Sequence, residues 1–385
     1  MTEPSQGGFG LYLHWPFCQA KCPYCDFNSH VVARIDQEQW ETAYLAELDR
    51  AAAETPDRIL DTVFFGGGTP SLMSASLVQA IMDRIRRNWR LSNSLEVTLE
   101  ANPTSVEAGR FQGYRQAGVN RVSMGIQALN NDDLRRLGRL HSVEEARRAF
   151  DFARETFPQV SFDLIYARQD QSLAAWEEEL SSALNMAADH LSLYQLTIEE
   201  GTAFGERMAR GGLKGLPDED TAAAMFEMTQ AMTADAGLPA YEISNHARPG
   251  AESRHNMIYW KGGEYVGVGP GAHGRIVSDG QRYATETHLA PGAWLQAVER
   301  QGHGESLRTA LTKADQGEEL LLMGLRISDG VSVSQVQDLL GRPLPYSAIK
   351  QLSDDGYLVH DGDRLRVTGA GRLVLNGVLR ELLAG

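Results

Sequence analysis

Cysteine is scarce here: the 385 residues contain three, and all lie between positions 18 and 25. A secreted disulfide framework spreads an even number of cysteines along the chain, so this pattern excludes one and points to a reducing compartment and a metal site. Long apolar runs are also missing. No stretch approaches the ~20 consecutive apolar residues of a membrane-spanning helix. The opening MTEPSQGGFG has neither the basic start nor the apolar stretch of a signal peptide, so a cytoplasmic location is expected. Basic residues are outnumbered, 36 Lys and Arg against 51 Asp and Glu, for a net charge of −15. A main role in gripping nucleic acid is thereby excluded, because phosphate binding needs concentrated cations.

What is present is enough core for a large domain. With 42% hydrophobic residues the chain can build one α/β domain of barrel size and a smaller appendage. Up to about residue 200, short apolar runs alternate with longer amphipathic stretches. Strands are predicted at 11–14, 62–65, 95–100, 121–125, 160–165 and 191–196. Helical spacing separates them, as with Trp40, Tyr44 and Leu48, or Leu77, Ile81 and Ile85. Six such units with right-handed crossovers predict an α/β fold, a partial parallel (β/α)6 barrel over 1–240 with its site at the strands' C-terminal ends. An edge extension over 241–308 includes predicted strands at 240–243 and 264–268. In a small C-terminal domain over 309–385, three helices and a hairpin crossed at Asp361-Gly362 resemble a winged helix. That module is not basic, so packing or partner binding suits it better than a regulator's DNA contact.

Cys18, Cys22 and Cys25 follow the first predicted strand as C-x3-C-x2-C. Three thiolates cannot complete a tetrahedron on one Zn²⁺ without a fourth ligand, for which His14 or His30 would serve. An iron–sulfur cube instead takes one thiolate per iron and would leave one iron open to an exogenous ligand. Three incidental thiols are the bland alternative. Gly66-Gly67-Gly68-Thr69-Pro70-Ser71 falls between a strand and a helix, where glycines let backbone N–H groups approach an anion, or merely make a tight turn.

The cysteine string after the first strand of a βα series is the signature of the radical S-adenosylmethionine superfamily, which this chain resembles over nearly its whole length. The resemblance implies a radical SAM barrel holding a [4Fe-4S] cluster on Cys18, Cys22 and Cys25, with the adenosylmethionine amino and carboxylate groups on the fourth iron. In that superfamily, cluster reduction can cleave the ligand to a 5′-deoxyadenosyl radical. LYLHWPFC and CPYCDFNSH look like the branch that holds oxygen-independent coproporphyrinogen III dehydrogenase and the heme chaperone HemW. Matching that branch's motifs places Gly67, Gly68 and Thr69 at the methionine end of the ligand. The same matching puts Tyr12, Tyr24, Glu100, Gln127, Arg139 and Asp163 at adenosylmethionine-contacting positions, where carboxylates can accept from ribose hydroxyls and Arg139 can pair a carboxylate. One loop departs: the branch continues Gly-Leu-Pro-Gly-Gln where this chain has Ala167-Arg168-Gln169-Asp170-Gln171.

Two features divide the branch. The dehydrogenase carries a fourth cysteine where this chain has Phe27, and the chaperones carry H-N-x-x-Y-W, present as His255-Asn256-Met257-Ile258-Tyr259-Trp260. The resemblance therefore implies a porphyrin-handling protein that binds heme through His255. Asn256, Tyr259 and Trp260 would lie at the macrocycle, and His273 in GPGAHG is the rival ligand. It further implies delivery to apo-hemoproteins such as respiratory-chain cytochromes, a homodimer when heme-loaded, and a peripheral place at the membrane during delivery. The cluster and adenosylmethionine would stabilise the transfer-competent form or gate release. The competing expectation is an enzyme, the radical decarboxylase of coproporphyrinogen III.

Overall fold

A computed structural model describes residues 7–104 and 109–384. Six parallel strands, Phe9–Trp15, Ile59–Gly67, Arg90–Ala101, Arg121–Gln127, Gln159–Tyr166 and His190–Gln195, pair in chain order at the centre of an eleven-stranded sheet. Helices connect them, and several start at a side chain that accepts a first-turn N–H, although Phe111–Ala117 has no such cap. Ser74 caps Ala75–Asn88, Ser172 caps Leu173–Met186, and Ser142 forms a reciprocal box with Glu145 at Val143–Thr156.

The strands alternate apolar and polar residues, which a parallel sheet covered on both faces would not do. One register row runs Leu11, Val63, Val97, and another runs Leu13, Phe65, Leu99. These join Trp40, Tyr44, Leu77 and Ile81 of the helices in one core. The opposite face carries Tyr12 beside Phe64 and Thr98, Glu100 beside Ser123 and Ser161, and Asp163 beside Ser192. Helices cover the first face, so the polar set lines the concave face of a partial barrel.

Residues 264–310 extend this sheet. Glu264–Val268 pairs parallel to the first strand, and His273–Ser278, Gln281–Thr287 and Glu305–Ala310 follow as an antiparallel meander. Val266, Val268, Ile276 and Trp294 lie in the barrel's core. The strand predicted at 240–243 does not form. Ala240 makes an isolated bridge to His246, and the edge strand is Asn245–Ala247, because Glu242 turns back to bond Ser244 N and Asn245 Nδ2. The tail has a separate core around Leu321, Val336, Leu365 and Leu382. Its helices Lys313–Gly324, Val333–Leu340 and Tyr346–Asp354 precede the hairpin Leu358–Asp361 and Arg364–Val367. No helix among the described residues is long and apolar enough to cross a membrane.

Candidate functional site

Cys18, Cys22 and Cys25 open into one cavity at the C-terminal ends of the parallel strands. Tyr24, Gly67, Gly68, Thr69, Glu100, Gln127, Arg139 and Asp163 line it with them. The cysteine loop is stitched to the glycine loop by backbone bonds, Gly68 N to Trp15 O at 2.7 Å and Thr69 N to Phe17 O at 2.8 Å. Glycine is required there: a Cβ at Gly68 would lie 2.7 Å from Phe17 O. His30 N to Pro16 O at 2.7 Å closes the base of the cysteine loop.

The thiols have polar neighbours. Thr69 Oγ1 donates to Cys18 Sγ at 3.4 Å, and Arg139 Nη1 donates to Cys22 Sγ at 3.2 Å. Burial pushes the Cys18 and Cys25 thiols up, and hydrogen bonds from Thr69 and Ser29, or from Ser29 and the Phe27 backbone, only partly offset it. Burial also opposes the Arg139 cation, but Tyr24 and Cys22 beside it outweigh that and hold the guanidinium charged.

Two carboxyls share the cavity floor. Burial pushes Glu100 up to about 8, with the Asp163 charge adding to it and the Gly67 N–H opposing. Burial likewise raises Asp163 to about 6, against hydrogen bonds with Ser192 and Ser123 and the nearby Arg139 charge. Gln127 sits at a register slip between its strand and Gln159–Tyr166, with φ +73° and a buried Oε1 that has no partner. Such backbone strain costs roughly 1–3 kcal/mol and persists where function needs the geometry. The unpartnered oxygen faces the cavity as a ready acceptor.

Tyr12 lies one layer below, with its hydroxyl 3.0 Å from His14 Nδ1. His14 Nε2 meets Asn28 O at 2.8 Å, so both its nitrogens are engaged, and His30 Nε2 meets Asn28 Oδ1 at 3.1 Å. Among the described residues no three His, Cys, Asp or Glu groups converge as a mononuclear metal site. These contacts disfavour the zinc alternative. Three thiols, a free amide oxygen, two carboxyls and a guanidinium around one cavity instead suit a cluster with an open iron and a zwitterionic, ribose-bearing ligand.

Sequence reasoning missed several residues. Asn102 accepts from Arg139 Nη2 at 2.5 Å and donates to Thr69 Oγ1 at 3.3 Å; its only signal was its place two residues after Glu100. Ser123 donates to Asp163 at 3.2 Å, and His141 lines the cavity while its Nε2–H donates to Ile126 O at 3.1 Å, its pKa lowered to about 4 by burial and the Arg139 charge. Asn28 was also overlooked. Its Nδ2 donates to Pro270 O at 3.0 Å and Leu289 O at 2.9 Å, clamping the cysteine loop to the meander.

The atypical loop keeps the backbone its glycines would have supplied. Ala167 and Asp170 stand at the two glycine positions, and their φ angles are +56° and +59°. Arg168 turns inward, 4% exposed, and pairs with Glu179 at 2.5 Å and Asp133 at 3.0 Å.

The HNxxYW string lies elsewhere. Its helix, Arg254–Trp260, is capped by Ser253 and closes the opposite end of the concave face, near the starts of the strands. His255 is 1% exposed, with Nδ1 2.7 Å from Thr62 Oγ1 and Nε2 2.6 Å from the Tyr259 hydroxyl. Its ring stacks on Phe64, and burial pushes it down to about 3. As folded, neither nitrogen is open to an iron. Trp260 Nε1 is buried without a partner, and Asn256 N bonds the Ser253 cap.

Residues 12–181 match the family model for the radical SAM superfamily, and 311–374 match the HemN C-terminal domain. The heme chaperone HemW of Escherichia coli is 37% identical over 97% of this chain and 98% of its own. HemW of Mycobacterium tuberculosis is 38% identical over 97% and 95%. Bovine radical S-adenosyl methionine domain-containing protein 1, a mitochondrial protein, is 38% identical over 99% and 88%. The solved coproporphyrinogen III oxidase (HemN) of Escherichia coli superposes with a TM-score of 0.82 over 97% of this chain and 90% of that one; at 22% identity it shows the shared fold. The chain belongs to the HemW family of the radical S-adenosylmethionine superfamily, whose cofactors are a [4Fe-4S] cluster and S-adenosylmethionine.

Proposed function

We propose that this protein binds heme and hands it to apo-hemoproteins, using a cluster ligated by Cys18, Cys22 and Cys25 with adenosylmethionine on its open iron. The observation that carries this is end-to-end similarity to proteins named heme chaperones, tail included, in a chain whose three thiols share one cavity with an acid pair and a guanidinium. Phe27 supports it over coproporphyrinogen decarboxylation, because it stands exposed where the dehydrogenase branch has its fourth cysteine.

Each cavity residue has a matching role. The Gly67 to Thr69 backbone and hydroxyl face the methionine end, and Arg139 pairs its carboxylate. Glu100 and Asp163 accept from the ribose or ammonium, the Gln127 oxygen accepts a donor, and Tyr24 supplies surface for the adenosine, while Tyr12 supports the cavity from the layer below through His14. When bound, cluster and ligand together supply one-electron reducing chemistry at a sulfonium. The chain's part is to orient the ligand and exclude water. His255 could ligate heme only after releasing Thr62 and Tyr259. Respiratory cytochromes as acceptors, a heme-loaded homodimer and a peripheral membrane association complete the proposal.

The test is anaerobic reconstitution with iron and sulfide, EPR with and without adenosylmethionine, then heme titration and transfer to an apo-cytochrome. A cluster signal that adenosylmethionine changes, together with heme uptake and transfer, is expected. One zinc and no acid-labile sulfide, or protoporphyrinogen formed from coproporphyrinogen III, would overturn it.

A further inference from the structure

Exposed apolar residues occur on the segments that border the cavity, and Phe27 lines it. Phe27 is 58% exposed, Val31 54% and Leu289 65%. Scattered singly, such residues need no explanation, but Asn28, next to Phe27, bonds Leu289 O and so brings the segments that carry two of them together. Val31 pairs with Cys18, so the patch begins at a cluster thiol.

An imidazole stands at its edge. His273 opens the strand His273–Ser278, two residues past Gly271, where an added Cβ would lie 3.2 Å from Leu289 Cδ2. Beneath it, Gly267 is paired with Tyr12, and the absence of a side chain there lets the His273 backbone pass in direct contact. His273 is exposed, and among the described residues its ring makes no hydrogen bond. It contrasts with His255 in each respect. His273 stands three residues past Pro270, whose carbonyl Asn28 of the cysteine loop holds, and so lies at the cluster end of the sheet.

We infer that the patch of Phe27, Val31 and Leu289 is the docking surface for heme, with His273 as the axial ligand to its iron. This rests on the heme-handling function proposed above and assigns its site. A flat apolar macrocycle carrying a metal needs what this surface offers: exposed apolar and aromatic groups that lose water on contact, and an accessible imidazole beside them. Asn28 couples the site to the cysteine loop, since its amide holds the Pro270 and Leu289 carbonyls while its own carbonyl meets His14.

Hemin titration of the cluster-reconstituted protein tests this, followed by absorption and EPR spectra of the bound heme. His273→Ala is expected to weaken binding about tenfold or more and remove the imidazole-ligand spectrum. His273→Met should keep heme but change its spectrum, and Leu289→Ser should weaken affinity while leaving the ligand signature intact. Heme bound by His273→Ala with wild-type affinity and spectrum would sink the site. So would loss that follows His30→Ala or a folded His255→Ala instead. Wild-type protein that takes up no heme at all removes the heme function itself, a failure visible before any variant is made.

Discussion

Arg139 Nη1 donates to Cys22 Sγ at 3.2 Å while Nη2 of the same guanidinium donates to Gly125 O at 2.8 Å. One planar fork thus ties the cysteine loop to the end of a barrel strand. Lysine keeps the charge and loses the fork. Arg139→Lys is therefore expected to keep wild-type iron and sulfide, while the adenosylmethionine concentration that half-saturates the EPR change rises about tenfold. An unchanged titration would remove Arg139 from the ligand site.

The acid pair makes the ligand-free protein sensitive to alkali. Glu100 titrates at about 8 in the fold, pushed up by burial and then Asp163, against an ordinary value of 4.5. The native state therefore holds a proton that the unfolded chain has released. Its stabilising contribution is complete below 4.5 and is lost as pH rises through 8. Glu100→Gln should flatten that decline and gain on the order of a few kcal/mol at pH 8.5 relative to wild type, since tenfold in proton affinity is about 1.4 kcal/mol. Thermal melts from pH 5 to 8.5 check it, and parallel curves for the two proteins would refute the assignment.

In the loop after the fifth parallel strand, Ala167 adopts φ +56° without the freedom of glycine. Ala167→Gly is expected to stabilise the protein by about 1 kcal/mol by relieving that strain. Arg168→Ala should do the reverse, destabilising by roughly 3–5 kcal/mol, because it leaves the 9%-exposed Glu179 carboxylate without its nearest cation. Urea unfolding of both variants decides the signs.

His255 holds two hydroxyls inside the fold. His255→Ala should lower stability by about 2–4 kcal/mol, through the emptied volume and the abandoned Thr62 and Tyr259 groups. Tyr259→Phe removes only one of these bonds and should cost about 1–2 kcal/mol. Denaturant melts of heme-free protein measure both, and an undiminished His255→Ala midpoint would contradict the buried geometry. Any heme defect of that variant has to be read against its folded fraction.

Much of the barrel was legible because it is written in local periodicity. Short apolar runs set between amphipathic stretches located all six parallel strands, and i, i+4 spacing located the helices that Trp40 and Leu77 anchor. The segment at 240–243 misled because its apolar residues looked like a strand, whereas the Glu242 side chain takes the Ser244 N–H and folds the chain back. The glycine-to-charge change at 167–171 read as a departure from the branch's loop. The backbone stayed in place because Arg168 found buried carboxylates at Glu179 and Asp133, far along the chain.

By itself the sequence determined the cluster motif, since three thiols within eight residues are neighbours in any fold, and it determined the alternating elements, since both depend on nearby residues alone. Which face became the cavity, and which partners met there, only the tertiary structure decided. Glu100 and Asp163 share a floor, Arg139 reaches Cys22, and Asn28 grips Leu289 because the sheet's register and curvature bring distant strand ends together. The two imidazoles show the same division. HNxxYW marks His255 in the chain, but packing against Thr62, Phe64 and Tyr259 buries it, while the turn past Gly269 leaves His273 in solvent beside the cluster loop.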